Sequence, residues 1–250
     1  MISLFSKTAL ISKSNVYGKI LFYSLLVLIT IIISSEPSFV FGDSKAASLY
    51  GPAVLIIVLL FYCWQIALLV QKLNYPSWLT GTLKAFAIAN FLLSLLTLFG
   101  GFDFLPITYK VTVFFLGHMA GASLDVLILA IILTDIFASK ETHGDHIWGA
   151  IVAYFALIML FGETYELITL VNPGLLGEVF PIGYPNYVQC IMFSFNIMAG
   201  IDSFYPDAHP ILMKISALEH LIGNLYLVVI LGRLLSRPIK NKEPQKPKTS

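Results

Sequence analysis

Long apolar runs, separated by short polar or turn-forming stretches, dominate the hydropathy pattern of this chain. A bilayer core about 30 Å thick is crossed by about 20 apolar residues in a helix. The breaks carry turn or charge signals, such as Asn74-Tyr75-Pro76 and Gly100-Gly101. The pattern predicts six transmembrane helices, at about residues 18–35, 50–71, 83–100, 109–135, 147–171 and 211–235.

The break between the fifth and sixth predicted helices, residues 172–210, is longer than the others and only half polar. Within it, residues 186–200 predict a short apolar helix that is too short to cross a bilayer. Irregular backbone next to such a helix must be buried in protein or line a water-filled cavity. We therefore expect an all-α integral membrane protein with a re-entrant pore helix between the fifth and sixth helices. An amphipathic helix lying on the membrane surface is the alternative.

Composition agrees with a membrane protein and narrows the partners. Of 250 residues, 58% are hydrophobic and 12% are charged, with a mean hydropathy of +0.85. Soluble domains carry about 25% charged residues, so an ordinary water-soluble fold is excluded. The net charge of +1 offers no basic surplus for nucleic acid, and the lipid bilayer is the expected surrounding.

The positions of the basic residues predict the orientation. With a cytoplasmic N-terminus, 12 of the 15 lysines and arginines fall on the inner side, and only Lys45, Lys110 and Lys214 fall outside. Both termini are then cytoplasmic in a multi-pass protein of the cell (inner) membrane, and the segment 172–210 faces out. A cleaved signal peptide over residues 1–35 is the competing interpretation.

This topology divides the chain into four parts. Residues 1–17 form a cytoplasmic N-terminus, and residues 18–140 form a peripheral membrane domain of four helices. Residues 141–236 form a pore domain with an outer helix, a pore loop at 172–210 and an inner helix. Residues 237–250, where prolines stand among lysines, are expected to be a disordered basic cytoplasmic tail.

Three motifs in the last 110 residues resemble the prokaryotic pore-loop channels related to two-transmembrane potassium channels. The fifth helix matches a Thr-x-x-Asp-x-Ile-x-Gly-Ala-x-x-x-Tyr pattern, the short helix carries Phe-Ser-Phe, and the last helix opens on Leu-Glu and continues to Gly, Tyr-Leu and Arg-Leu. The matching positions are Thr142, Asp145, Ile147, Gly149, Ala150, Tyr154, Phe193, Ser194, Phe195, Leu218, Glu219, Gly223, Tyr226, Leu227, Arg233 and Leu234. The resemblance implies a homotetramer around a central pore.

The segment that should form the selectivity filter departs from the family pattern. Potassium channels carry Thr-x-Gly-Tyr-Gly-Asp there, and its backbone carbonyls replace the hydration shell of the ion. This chain lacks the threonines and the second glycine. The resemblance therefore implies weakly selective conduction of monovalent cations such as K⁺ or Na⁺, with no bound cofactor or metal. The expected filter and pore residues are Ala199, Gly200, Ile201, Asp202, Ser203 and Phe204.

Asp202 is the carboxylate expected at filter depth, where four copies would form a cation-attracting ring. Alternatively, it caps the turn after the pore helix. In the last helix we expect Glu219, Gly223 and Asn224 to line the pore or to act as a hinge, with Asn224 nearest the axis. Glu219 bracing the pore helix from behind and Gly223 serving as a packing contact are the alternatives.

Other polar groups within the apolar segments allow two further functions. His118 and Asp125 lie seven residues apart on one helix face and predict a buried polar pair, and Glu163 and Glu166 share a face of the fifth helix. These groups would suit a proton-coupled transporter. A non-conducting channel relative that acts as a membrane scaffold or sensor is the other alternative. Without a nucleophile motif or phosphate-binding glycine loop, no catalytic residue and no enzyme activity are expected.

Overall fold

The structure is a computed structural model that describes residues 14–35, 76–98, 106–138, 144–201 and 207–236, with scattered helical positions between 53 and 71. Its named elements are six α-helices, and no strand occurs among the described residues. The helices are α1 (Ser14–Ser35), α2 (Ser77–Leu98), α3 (Ile107–Ala138), α4 (Gly144–Val171), α5 (Tyr184–Ala199) and α6 (Pro210–Leu235).

Three of these helices are long and apolar enough to cross a membrane: Ile107–Ala138, His146–Val171 and Pro210–Leu235. They correspond to the fourth, fifth and sixth predicted spans. Helix α1 overlaps the first predicted span, and the apolar part of it, Tyr17–Thr30, is shorter than a span. Predicted spans 50–71 and 83–100 lie partly outside the described residues. The described residues are therefore those of a helical membrane protein and contain three candidate spans, and the count of six is not supported.

Prolines and one histidine mark where several helices begin. The carbonyls of Pro76 and Pro106 accept the first hydrogen bonds of α2 and α3, from the amides of Leu79 and Tyr109. Proline suits a first helical turn because it lacks the amide hydrogen that would have no partner there. Thus α2 begins six residues before the predicted 83, directly after Pro76. At α6, Nδ1 of His209 accepts from the amide of Ile211 at 3.2 Å, next to Pro210.

Helix α4 is the centre of the described fold, because α1, α3, α5 and α6 all pack against it. Its small residues Ala153 and Ala156 are fully buried and let neighbouring helices approach closely. Side chains of α6 bond to the backbone of its neighbours: the Tyr226 hydroxyl donates to the carbonyl of Ala150 at 2.6 Å, and Arg233 donates to that of Phe137 at 2.8 Å. Helix α5 therefore lies against a framework fixed by α4 and α6.

Candidate functional site

Helix α5 is a short helix that is buried on the inside of the fold. Its 16 residues extend about 24 Å at 1.5 Å per residue, less than the thickness of a bilayer core. It packs on α1, α4 and α6, and its side chains at Cys190, Ile191, Phe193 and Ser194 are fully buried. The predicted segment 186–200 lies within this helix and its cap.

The close approach of α5 to α4 depends on Gly162. A Cβ at this position would lie 2.9 Å from the Cα of Ile191 and 3.2 Å from its Cγ1. A real Cβ does not come that close to a backbone atom, so any other residue at 162 would push the two helices apart. On the neighbouring turns, the ring of Tyr165 meets that of Phe193 edge to face at 4.8 Å.

Glu219 of α6 holds both α4 and α5 through its carboxyl group. The Tyr165 hydroxyl of α4 donates to Oε2 at 2.5 Å, and the Ser194 hydroxyl of α5 lies 2.5 Å from Oε1. The same Ser194 hydroxyl lies 2.8 Å from the carbonyl oxygen of Ile158. All three side chains are fully buried. One carboxyl group thus joins three helices behind the middle of α5.

The C-terminal end of α5 is bounded by a sharp turn. Gly200 has φ 69° and ψ 23°, a left-handed conformation that glycine adopts without steric cost. The amide of Ile201 donates to the carbonyl of Asn196 at 2.9 Å, and that of Gly200 donates to the carbonyl of Ile197 at 3.2 Å. These bonds satisfy carbonyls that a helix end leaves open. The chain therefore leaves the axis of α5 at Gly200, directly before Ile201.

Side chains from α4 and α6 contact the last carbonyls of α5. The Tyr154 hydroxyl donates to the carbonyl of Met198 at 2.7 Å, and Nδ1 of His220 lies 3.1 Å from the carbonyl oxygen of Ile197. Nδ2 of Asn224 lies 3.0 Å from Nε2 of His220. A histidine tautomer with its proton on Nδ1 satisfies both contacts, since His220 then donates to Ile197 and accepts from Asn224.

The pore residues predicted from the sequence lie in two places, the end of α5 with the segment after it, and the helix α6. Ala199 ends α5, and Gly200 and Ile201 follow it at exposed positions, whereas Asp202, Ser203 and Phe204 lie outside the described residues. Glu219 is buried and bonded to α4 and α5. Gly223 packs on α5, where a Cβ would lie 2.7 Å from Sδ of Met198, and Asn224 is exposed beside His220.

A second polar cluster lies between α3, α4 and α5, near the start of α5. Nε2 of His118 lies 3.2 Å from Oε2 of Glu166, so the histidine contacts Glu166 instead of the predicted partner Asp125. The reason is geometric: His118 and Asp125 are two turns apart on α3, whereas Glu166 faces His118 across the helix interface. The ring of His118 stacks on that of Tyr187 with centroids 5.3 Å apart.

Sequence reasoning missed several partners in these two clusters. Tyr165 is one of them, and Asn186 is another: it donates from Nδ2 to Oγ1 of Thr169 at 3.0 Å and is buried. The signal was present, because a buried asparagine in an apolar helix needs a polar partner on the helix it packs against. The partner itself could not be read from sequence spacing, since it lies on another helix.

One side of α6 is apolar and is not covered by the part of the chain that the structure describes. The buried positions form a single stripe along the helix, at Leu212, Ser216, Glu219, Gly223, Ile230 and Leu234. Around this stripe, large side chains such as Leu218, Leu221, Leu225 and Val228 are more than half exposed. A helix of this kind is covered in the membrane by lipid or by another protein surface.

The chain has no match among protein-family models, curated proteins or solved structures.

Removing the hydroxyl of Tyr154 gives a small and specific effect. We expect Tyr154→Phe to lower the free energy of unfolding by about 0.6 kcal/mol, the average for interhelical hydrogen bonds in membranes, and by no more than about 1.7 kcal/mol. The carbonyl of Met198 loses its side-chain donor, while the ring stays in place. Denaturation by a titration of sodium dodecyl sulfate in mixed micelles measures it. Tyr109→Phe, on an exposed residue of α3, serves as the control, and equal stability of the two variants would contradict the bond.

Proposed function

We propose that this chain is the subunit of a tetrameric cation channel in which α5 is the pore helix. The supporting observation is the placement of α5. It is too short to span, it is buried between α1, α4 and α6, and it ends at a left-handed glycine that turns the chain into residues 201–206. Such a half-helix is tolerated at membrane depth only where protein or an aqueous cavity surrounds it.

Assembly follows from what one chain is able to enclose. Two spanning helices and one half-helix cannot surround a pore, so several copies must supply its wall. The uncovered apolar side of α6 supports this assembly, because it offers each copy a surface for its neighbours and for the pore lining. A fourfold arrangement around residues 199–204 is our proposal for the oligomer.

The proposed channel subunit crosses the membrane six times and has both termini in the cytoplasm. Six spans, cytoplasmic termini and a location in the cell (inner) membrane agree with the distribution of basic residues. The segment between α4 and α6 then faces outward and carries the carboxylates Glu178, Asp202 and Asp207. A ring of Asp202 carboxylates, one from each copy, attracts cations and repels anions.

The proposed pore selects weakly among monovalent cations such as K⁺ and Na⁺. The filter segment lacks the threonines and the second glycine that give potassium channels their rows of carbonyls. The direct test is reconstitution of the purified protein in planar bilayers, with reversal potentials measured in KCl and NaCl gradients. We expect a cation-selective current with similar K⁺ and Na⁺ permeability. Absence of current in a verified tetramer would overturn the proposal and favour a non-conducting scaffold or sensor.

A charge substitution locates the selectivity. We expect Asp202→Asn to move the reversal potential in a KCl gradient toward zero, because every copy loses one carboxylate from the pore mouth. Glu178→Gln is the matched control, since Glu178 is an exposed carboxylate in the same outward segment. If both variants keep the wild-type reversal potential, Asp202 is not part of the filter.

A further inference from the structure

Three carboxylates of the second polar cluster are buried where α3, α4 and α5 meet. Asp125 of α3 and Glu163 and Glu166 of α4 are 5%, 8% and 0% exposed. The carboxyl group of Glu163 lies against Gly121, one turn before Asp125 on α3, and Glu166 is one turn further along α4. Among the described residues, His118 is the one basic side chain within ion-pair distance of these carboxylates.

Some of these oxygens have no hydrogen-bond partner. Oε2 of Glu163 is buried without a donor among the described residues, and Oε1 of Glu166 lacks a well-formed hydrogen bond there although the amide of Asn186 lies close to the Glu166 carboxyl group. Oε2 of Glu166 has the 3.2 Å approach of His118 but no well-formed hydrogen bond. A buried carboxylate oxygen without a donor is strongly unfavourable in an apolar surrounding. These oxygens therefore need a bound proton or a bound cation.

The net charge of the cluster shows how many protons or cations it needs. If all three carboxyl groups are ionised and the imidazole of His118 is neutral, the cluster carries a charge of −3. Such a concentration of like charge inside an apolar helix bundle is not stable, and neutrality requires three protons or an equivalent cation. Two carboxyl groups that share a site relieve their repulsion by holding a proton between them.

Packing around Glu163 favours the proton over a larger cation. A Cβ at Gly121 of α3 would lie 2.6 Å from Oε2 of Glu163, so the carboxyl group occupies the space that the glycine leaves free. Asp125 is one turn further along the same face. Among the described residues, no three His, Cys, Asp or Glu side chains are arranged to hold a metal ion. A proton needs no such shell of ligands.

The other helices packed around the described fold bring further polar and ionisable groups, most of which have partners of their own. From α5 come the amide of Asn186, the ring of Tyr187 and the thiol of Cys190, which lies 3.6 Å from Oγ1 of Thr169. On α1, Tyr17 bonds to Asp135 and Tyr23 stacks on Phe61, while Lys19 is exposed. On α6, Glu219 is held by Tyr165 and Ser194.

We propose that Asp125, Glu163, Glu166 and His118 form a proton-binding site that joins the peripheral helix α3 to the start of α5. The bound protons neutralise the carboxylates and supply the donors that the buried oxygens lack. Loss of the protons recreates the like charges and forces α3 away from α4 and α5. This proposal does not rest on conduction, since it uses only the buried side chains between α3, α4 and α5.

Infrared spectroscopy of the full-length protein in lipid tests the proposal directly. A protonated carboxylic acid has a carbonyl band that a carboxylate lacks, and the band shifts when D₂O replaces H₂O. We expect the band at neutral pH and the loss of one component in each of Asp125→Asn, Glu163→Gln and Glu166→Gln. The control Glu178→Gln, at an exposed carboxylate, leaves the band unchanged. No loss in any of the three cluster variants would overturn the proposal.

A second measurement needs no variant and so does not depend on their folding. Dicyclohexylcarbodiimide enters membranes and adds to a protonated carboxylic acid, and the O-acylurea that forms rearranges to a stable N-acylurea of the same mass. Mass spectrometry of the wild-type protein should locate this adduct on Glu163, Glu166 or Asp125, with labelling that falls as pH rises. Absence of labelling from all three residues would show that the site holds no proton. Infrared carboxylate bands that move when Na⁺ replaces K⁺ would show that it binds a metal cation instead, and either result would overturn the proposal.

Discussion

Replacing Glu219 by alanine is expected to lower the free energy of unfolding by about 2–4 kcal/mol. The Tyr165 hydroxyl, which is fully buried, would lose its acceptor, and Ser194 would keep only the carbonyl of Ile158. A buried hydroxyl left without a partner costs about 1–3 kcal/mol, and the cavity left by the carboxyl adds to this cost. Denaturation by sodium dodecyl sulfate in mixed micelles measures the change.

Two companion variants separate the hydrogen bonds from the volume of the side chain. Glu219→Gln keeps the size and one acceptor oxygen, and its amide can donate to the other hydroxyl, so we expect a loss of about 1 kcal/mol. Lys214→Ala removes an exposed side chain of the same helix and should change stability by less than about 0.5 kcal/mol. A Glu219→Ala protein as stable as Lys214→Ala would show that the carboxyl group does not hold α5.

In the proposed channel, the carboxyl group of Glu219 also supports the current. In that channel α5 carries the filter segment, and the filter keeps its position only while α5 is held from behind. Glu219→Ala should then reduce the current of reconstituted protein more than it reduces the amount of tetramer. Unchanged current per tetramer would separate the stabilising role of Glu219 from any role in the pore.

The sequence predicted the helices better than their number as membrane spans. Hydrophobic runs located α3, α4 and α6 to within a few residues, because bilayer thickness fixes the length of an apolar helix. The short apolar segment before Gly200 likewise indicated a helix, and α5 is found there. Six spans are not supported, since the described structure contains three helices that meet the length and hydropathy of a span.

Contacts between helices could not be predicted from spacing along one helix. His118 and Asp125 share a face of α3, yet His118 contacts Glu166 of α4. In the same way, Tyr165 and Ser194 are 54 and 25 residues from the carboxyl group they bond. Periodicity shows which side chains share a face. It does not show which other helix lies against that face, or in what register.

Small residues carried information that the sequence interpretation used only in part. The sequence predicts Gly223 to be a hinge or a packing contact, and in the structure it lies against Met198 of α5. Gly162 lies closer still to the backbone of α5. Glycine in a membrane helix permits close approach of a neighbour. A glycine within an apolar helix that faces a half-helix therefore indicates where that half-helix lies.

Substitutions of Gly162 are expected to separate α5 from α4. A Cβ at this position would lie 2.9 Å from the Cα of Ile191, and a backbone atom cannot rotate away as the end of a side chain can. Overpacking of a close-packed interface costs about 1–3 kcal/mol. Alanine also favours the helix by up to about 1 kcal/mol relative to glycine. We therefore expect Gly162→Ala to destabilise the protein by about 0–2 kcal/mol and Gly162→Leu to destabilise it by about 3 kcal/mol or more.

Gly81→Ala is the matched control because its added Cβ meets no atom within 4 Å in α2. The same gain in helix propensity applies there without the steric cost, so this variant should be equal to wild type or more stable by up to about 1 kcal/mol. The difference between the two alanine variants isolates the α4–α5 contact, since the chemical change is identical. If Gly162→Ala and Gly81→Ala are equally stable, α5 does not lie against α4 at Gly162. If Gly162→Ala is as stable as Gly81→Ala and also keeps its current, the pore does not need a close α4–α5 contact.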